Sequence, residues 1–211
     1  MDVKKNARLR ELISQPGIVV APGCHDGLTA RLVQQNGFQV CYMGGNGTMA
    51  SYLGIPDIGL GTATEMITRA RYLAEILDIP LVCDADTGYG DVSSVVRTVR
   101  EYEAAGVSGI HFEDQVMPKK CGSMGGVQVV PVEEICAKIK AALEARRDPN
   151  FMIIARTDCF NTLGIDEAID RCKKFWDVGA DMLMPENFTK REDVERVARE
   201  LVNYKSPYRD D

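Results

Sequence analysis

The chain has 211 residues, 45% of them hydrophobic and 27% charged, with a formal net charge of −6. That is enough for one sizeable domain with its own core, and the acidic balance without a dense Lys/Arg run argues against nucleic acid as a partner. No apolar run approaches the length of a membrane span and the first residues lack a signal-peptide core, so no membrane partner and a cytoplasmic or organelle-matrix location are expected.

Residues 4–15 carry apolar positions at helical spacing, and Pro16-Gly17 stops them before an apolar run, Ile18–Ala21, that reads as a first buried strand. Asp26 can cap a helix over 27–36 that ends at Gly37. A second strand, Phe38–Met43, runs into Gly44-Gly45-Asn46-Gly47 and a long Gly/Pro-punctuated segment, 44–63. Thr64 can cap a helix with Met66, Ile67, Ala70, Leu73, Ala74 and Leu77 on one face. The third strand, 80–84, is followed by a helix capped by Asp91 and ended by Gly106. Gly109–Phe112 is the fourth strand, and after the segment VMPKKCGSMGGVQVV a helix runs from Val132 to about Arg146. Phe151–Ala155, a helix over 166–178, Met182–Met184 and a helix over 190–202 complete the pattern, before a polar tail. Seven scattered cysteines with no CxxC pair favour reduced thiols.

Six strand-then-helix units imply a parallel α/β sheet, either open and doubly wound or a (β/α) barrel. No GxGxxG loop joins a strand to a helix, whereas polar residues stand at the end of nearly every strand, as in a barrel active site. The reading is a TIM-type (β/α)8 barrel. A complete one has eight units and about 250 residues, so a single barrel domain over 1–211, incomplete at its C-terminus, is expected.

The stretch Leu81–Gly90, LVCDADTGYG, ends an apolar run in two acids one residue apart. Alternation along a strand puts Asp84 and Asp86 on one side, where they can converge on a cation; capping and a surface turn are the plainer alternative. With Glu113 at the end of the fourth strand they form an all-oxygen set that suits Mg²⁺, or Mn²⁺, over Zn²⁺. Arg156 has a planar fork fit for a substrate carboxylate, or for an ion pair with one of the acids. Gly44 and Gly45 can offer backbone N–H groups to a second carboxylate, or simply form a turn. In the loop Lys119-Lys120-Cys121-Gly122-Ser123, two lysines would lower the thiol pKa and fit Cys121 for acid, base or nucleophile work; an exposed loop with an incidental thiol is the alternative. His111, inside the fourth strand, reads as a core histidine.

DADTGYG, GIHFEDQ, PKKCG and IIARTD, in this order and spacing, resemble the isocitrate lyase/phosphoenolpyruvate mutase superfamily. The resemblance implies a modified (β/α)8 barrel, Mg²⁺ at Asp84, Asp86 and Glu113, and a homotetramer that exchanges a C-terminal helix, an element not found in this sequence. It implies a small carboxylate substrate lined by Met43, Gly44, Gly45, Gly122, Ser123, Arg156 and Glu186, with Tyr42, Asp57, Lys120 and Cys121 catalytic. The KKCG loop is similar to that of the lyase branch, typified by 2-methylisocitrate lyase, in which the cysteine acts as the acid. Cleavage of a 2-hydroxy di- or tricarboxylate to a 2-oxo acid and a dicarboxylate is therefore expected. The alternatives are an oxaloacetate-type hydrolase or decarboxylase, a phosphonate-forming mutase relative, or an inactive truncated homologue. Ser123 stands where the lyases usually carry His, and Met43 where many relatives carry Ser. Relatives also continue into a seventh strand where this chain reads YRDD.

Overall fold

Alternating apolar strands and one-faced helices can bury both kinds of apolar surface only by layering helices on a sheet. A computed structural model describes residues 2–204 of the chain and has this arrangement. Helix α1 (Val3–Ser14) leads into β1 (Gly23–Cys24), α2 (Gly27–Gln35), β2 (Cys41–Met43), α3 (Gly45–Thr48) and α4 (Ala63–Ile76). Then follow β3 (Leu81–Asp84), α5 (Val92–Ala104), β4 (Gly109–Glu113), α6 (Val132–Ala145), β5 (Met152–Thr157), α7 (Phe160–Asp177), β6 (Met182–Pro185) and α8 (Arg191–Glu200). Among the described residues no helix is long and apolar enough to cross a membrane.

The six strands pair in the order β1-β2-β3-β4-β5-β6, and every pairing is parallel. A doubly wound sheet reverses its strand order at a switch point; this one does not, and so has the wall of a (β/α) barrel. Outward strand residues such as Ile110, Phe112, Ile153 and Ala155 pack with Val95, Val99, Tyr102, Ile135 and Ile139 of the helices. Inward residues Val40, Met152 and Ile154 pack with Leu9 and Leu12 of α1.

Several boundaries differ from the sequence reading. The run Ile18–Ala21 is not a strand: Ile18 is 91% exposed and the first ladder forms at Gly23–Cys24. The segment 44–63 is not all loop, because α3 runs into a π-helical turn, Met49–Leu53, closed by Gly54 at φ 67. Thr62 rather than Thr64 caps α4, since Glu65 returns the bond to the Thr62 N–H and completes a capping box. Helix α7 begins at Phe160, six residues early, with a break at Gly164 (φ 86).

The amino end of the barrel is tied by charge. Asp181 accepts from Arg10 Nη2 at 2.8 Å, Arg146 Nη1 at 2.5 Å and the Ile153 N–H at 2.8 Å, and its side chain is 9% exposed. Removing a carboxylate that neutralises two nearly buried guanidinium groups leaves charge uncompensated. Asp181→Ala is expected to lower unfolding stability by about 3–5 kcal/mol, read as a shifted urea midpoint with an unchanged slope.

Candidate active site

A two-residue period sorts the inner face of the sheet into layers. Val40, Val82, Ile154 and Met182, with Leu9 beneath, line an apolar cavity of about 180 Å³. The next inward positions toward the carboxyl ends are Tyr42, Asp84, His111 and Glu113, Arg156, and Glu186. Strand geometry alone therefore sets a polar layer on an apolar floor. Met43 has the opposite parity, and its side chain lies fully buried in the helix-side core, away from the layer it was expected to line.

Asp84, His111 and Glu113 each bring one ligand atom within 4.8 Å of the others, all three buried. Asp84 accepts from the Gly45 N–H at 3.1 Å and the Asp86 N–H at 2.9 Å. Position 45 must be glycine, because a Cβ there would sit 2.9 Å from Asp84 Oδ2. Burial works to raise the Asp84 pKa, yet it is held below the usual carboxylate range by neighbouring positive charge. Lys119 and Arg156 supply that charge; His111, which burial pushes down to about 4, is neutral near pH 7 and cannot. His111 Nε2 is 2.9 Å from Tyr42 Oη, and its Nδ1 has no hydrogen-bond partner.

Glu113 is the unusual member. Both its carboxylate oxygens are buried without a hydrogen-bond partner. Burial, reinforced by the charge of Asp84, drives its pKa well above the usual range. A buried acid with two empty oxygens, beside a second carboxylate and a free imidazole nitrogen, is costly as it stands and fits a divalent cation.

Asp86 does not join this cluster. The strand ends at Asp84, and Asp86 turns at φ 48, so the alternation rule stops applying before it. Its carboxylate meets Lys119 Nζ at 2.5 Å in an ion pair, and burial followed by the charge of Asp84 pushes it up to about 6. Lys119 also donates to Asp57 Oδ1 at 2.6 Å, and burial, which would lower its pKa, is outweighed by Asp86 and the other acids. Lys120, assigned to catalysis from the sequence, is exposed, and only its main chain faces the site. The Lys119 ammonium is thus taken by Asp57 and Asp86, and Cys121 Sγ lies 3.2 Å from Ser123 Oγ.

The loop nevertheless folds over the layer. The Cys121 N–H donates to the Asp57 carbonyl at 2.8 Å. A Cβ on Gly122 would come within 2.8 Å of Arg156 Nη2 and 3.1 Å of Asn187 Nδ2, so this glycine permits the close approach. Of the two contacts left open above, Arg156 makes the ion pair, with acids outside the cluster: Asp158 takes Nε and Nη2 at 2.9 and 3.0 Å, and Glu186 lies 3.0 Å from Nη2. Gly44 precedes α3 as its N-cap, and its carbonyl accepts from Thr48 Oγ1. Tyr42 is pushed well above its usual pKa by burial and then by Asp84, which suits it to donate a hydrogen bond rather than to act as a base.

Three site residues escaped the sequence reading. His111 could have been found by counting back two from Glu113 on one strand face. Lys119 and Lys120 are indistinguishable until the loop's path is known. Asn187, at φ 73 with its Nδ2 buried and without a hydrogen-bond partner, follows the last residue the strand period could reach.

Residues 9–206 match the family described as phosphoenolpyruvate phosphomutase. The chain belongs to that family. It is 49% identical over 198 residues to 2,3-dimethylmalate lyase of Eubacterium barkeri, covering 94% of this chain and 68% of the relative. Similar solved structures include oxaloacetate acetylhydrolase in complex with the inhibitor 3,3-difluorooxalacetate, which superposes with a TM-score of 0.92 at 37% identity, covering 96% of this chain and 70% of the other. A phosphonopyruvate hydrolase complexed with oxalate and Mg²⁺ superposes with a TM-score of 0.85 at 32% identity, covering 94% and 68%. Against curated family members, several of them 2-methylisocitrate lyases, the chain spans from 55% to 68% of their length. The family and barrel type expected from the four motifs are thus confirmed.

Proposed function

We propose that this chain is a Mg²⁺-dependent carbon–carbon lyase acting on a substituted 2-hydroxy di- or tricarboxylate. The observation that carries the reading is the Cys121–Gly122 segment lying directly against Arg156, above a buried acid cluster with an unsatisfied Glu113. Asp84 and Glu113, with His111 beside them, would hold the cation; Mn²⁺ would tolerate the imidazole equally well. Once bound, it would polarise the 2-hydroxy acid end of the substrate and stabilise the negative charge that develops there.

The chain's own residues do the rest. Arg156 binds the carboxylate through Nη1, since Asp158 and Glu186 hold Nε and Nη2 and fix the plane of the guanidinium. Tyr42 donates to a substrate oxygen, oriented by His111. A carboxylate of the acid cluster accepts the hydroxyl proton, the carbon–carbon bond breaks into a new carbonyl, and the electron pair remains on the departing fragment. Cys121 delivers a proton to that carbon and recovers one before the next turnover. The closed loop excludes water, which would otherwise compete for the carbanion. The similarity to 2,3-dimethylmalate lyase supports this chemistry. The likeness to oxaloacetate acetylhydrolase, together with Ser123 beside Cys121, supports hydrolysis of an oxaloacetate-like acid as the second reading.

The test is to incubate the protein with Mg²⁺ and 2,3-dimethylmalate, 2-methylisocitrate or oxaloacetate and assay the 2-oxo acid, succinate or oxalate released. The lyase reading expects a 2-oxo acid or a dicarboxylate from one of the first two. Release of oxalate from oxaloacetate alone would replace it with the hydrolase, and no release from a folded sample would overturn both. Cys121→Ser is expected to lower kcat by about 10² to 10⁴, the range for one positioned acid, with cation binding unchanged.

A further inference from the structure

Gln115 lies two residues past Glu113, is 2% exposed, and uses its amide in two directions. Its Oε1 accepts from the Lys120 N–H at 2.9 Å, and its Nε2 donates to the Lys120 carbonyl at 2.9 Å. It thus reads the main chain of that residue as a neighbouring strand would. The second hydrogen on Nε2 goes to Asp158 Oδ2 at 2.6 Å, and Asp158 is the carboxylate that holds Arg156 Nε and Nη2.

Asp158 is not free to swing. Its N–H donates to Asp114 Oδ1 at 3.0 Å, and Asp114 Oδ2 in turn accepts from Thr157 Oγ1 at 2.6 Å and Arg171 Nη1 at 3.0 Å. On its other side, Gln115 grips one peptide of the loop. The carbonyl of the Lys120–Cys121 peptide is held by Gln115, and the N–H of the same peptide by the Asp57 carbonyl at 2.8 Å. The plane that carries Cys121 is therefore fixed from opposite sides.

The base of the loop is closed by other bonds. The Val116 N–H donates to Gln128 O and the Val130 N–H to Asp114 O, both at 2.8 Å. These main-chain bonds do not involve the Gln115 side chain, so its loss would leave the base intact and the tip held only by the contacts of Lys119 and the Cys121 N–H.

We propose that Gln115 is the positioning residue that holds the Lys119–Ser123 loop closed over Arg156, so that the place of Cys121 and the orientation of the arginine are set together. The amide is suited to this as a carboxylate is not, because the site needs an acceptor and two donors from one planar group. An isolated peptide-to-side-chain bond contributes little net stability, but a buried amide that satisfies both ends of a network is costly to remove. The proposal deepens the function argued above, yet it rests on loop geometry and is tested without a substrate.

The experiment compares the full chain with Gln115→Met, which keeps length and loses every polar contact, and Gln115→Glu, which keeps one acceptor and sets a carboxylate against Asp158. Iodoacetamide labelling of Cys121 is followed peptide by peptide by mass spectrometry, alongside tryptic cleavage after Lys119 and Lys120. Both variants are expected to label and cut about tenfold to a hundredfold faster, as when one or two net bonds leave a closed state, with the melting transition of the methionine variant within a few degrees of the parent. Rates within twofold of the parent would overturn the proposal. So would failure of both variants to fold, which would assign Gln115 to the fold instead of the loop. Faster labelling in a chain without turnover would keep this proposal and reject the lyase; turnover with unchanged labelling would do the reverse.

Discussion

Replacing Glu113 by Gln is expected to raise the melting temperature of the metal-free protein at pH 8 and to abolish its stabilisation by Mg²⁺. Both effects follow from the two unpartnered oxygens of a buried carboxyl whose pKa burial drives upward. Below the ordinary carboxylate pKa, folded and unfolded chains both keep the proton, and its contribution to stability is fully present. As pH rises past that value the unfolded carboxyl ionises first, and the contribution is lost steadily until the folded group ionises too. Gln carries no such proton, so the gap between variant and parent should widen with pH above about 5, by at most about 1.4 kcal/mol per pH unit. In the parent, Mg²⁺ at a hundredfold excess over its Kd adds about 2.7 kcal/mol, or about 5–10 °C for a chain of this size. Removing it with EDTA should return the parent to its low, pH-sensitive value. A parent melting curve that ignores Mg²⁺, or a variant that still responds to it, would reject Glu113 as a cation ligand.

Lys119→Met should lower stability as much as Asp181→Ala, and in a pH-dependent way. The ammonium sits between Asp57 at 2.6 Å and Asp86 at 2.5 Å, with all three side chains under 9% exposed. Without it two buried carboxylates face each other, and breaking a buried pair in this way costs about 3–5 kcal/mol. Because Asp86 is raised to about 6 even beside the lysine, its pKa in the variant should rise further, and the variant should be markedly less stable at pH 8 than at pH 5. The cost above pH 6 tracks ionisation of Asp86: its protonation at low pH removes the repulsion. A scan of melting temperature against pH reads this directly. A flat difference between variant and parent across pH 5–8 would mean that the lysine acts by packing alone. The loop should also loosen, since Lys119 is the side chain that ties it to Asp57, and Cys121 should become more reactive.

Much of the fold and of the site was legible in the sequence, for identifiable reasons. Strands such as Met152–Thr157 are uniformly buried, so an apolar run between two turn signals suffices to find them. Ile18–Ala21 has the same composition, but no neighbouring strand pairs with it there, and pairing is a property of the whole sheet. Asp84, Glu113, Arg156 and Glu186 could be placed on the inner face because each stands at or next to a strand end with the right parity. Asp86 and Lys120 were placed by rules that hold inside regular elements, whereas both lie just outside one. In a turn at φ 48 and in a loop held by tertiary contacts, side-chain direction follows from partners far away in sequence. Asp57 and Lys119 are such partners, 62 residues apart.

Asp181 has a consequence for the order of events during synthesis. Helix α1 can reach the Ala74 and Leu77 carbonyls through Lys5 once Leu77 has left the ribosome. Arg10, in the same helix, finds the Pro149 and Asn150 carbonyls only much later, and its carboxylate partner lies 171 residues downstream. Contacts of such separation form slowly, because a long loop must close before they contribute. Helix α1, made before any strand of the sheet, is thus among the last elements to be fully seated, and until β6 emerges the apolar residues it covers stay open to chaperones and to neighbouring nascent chains.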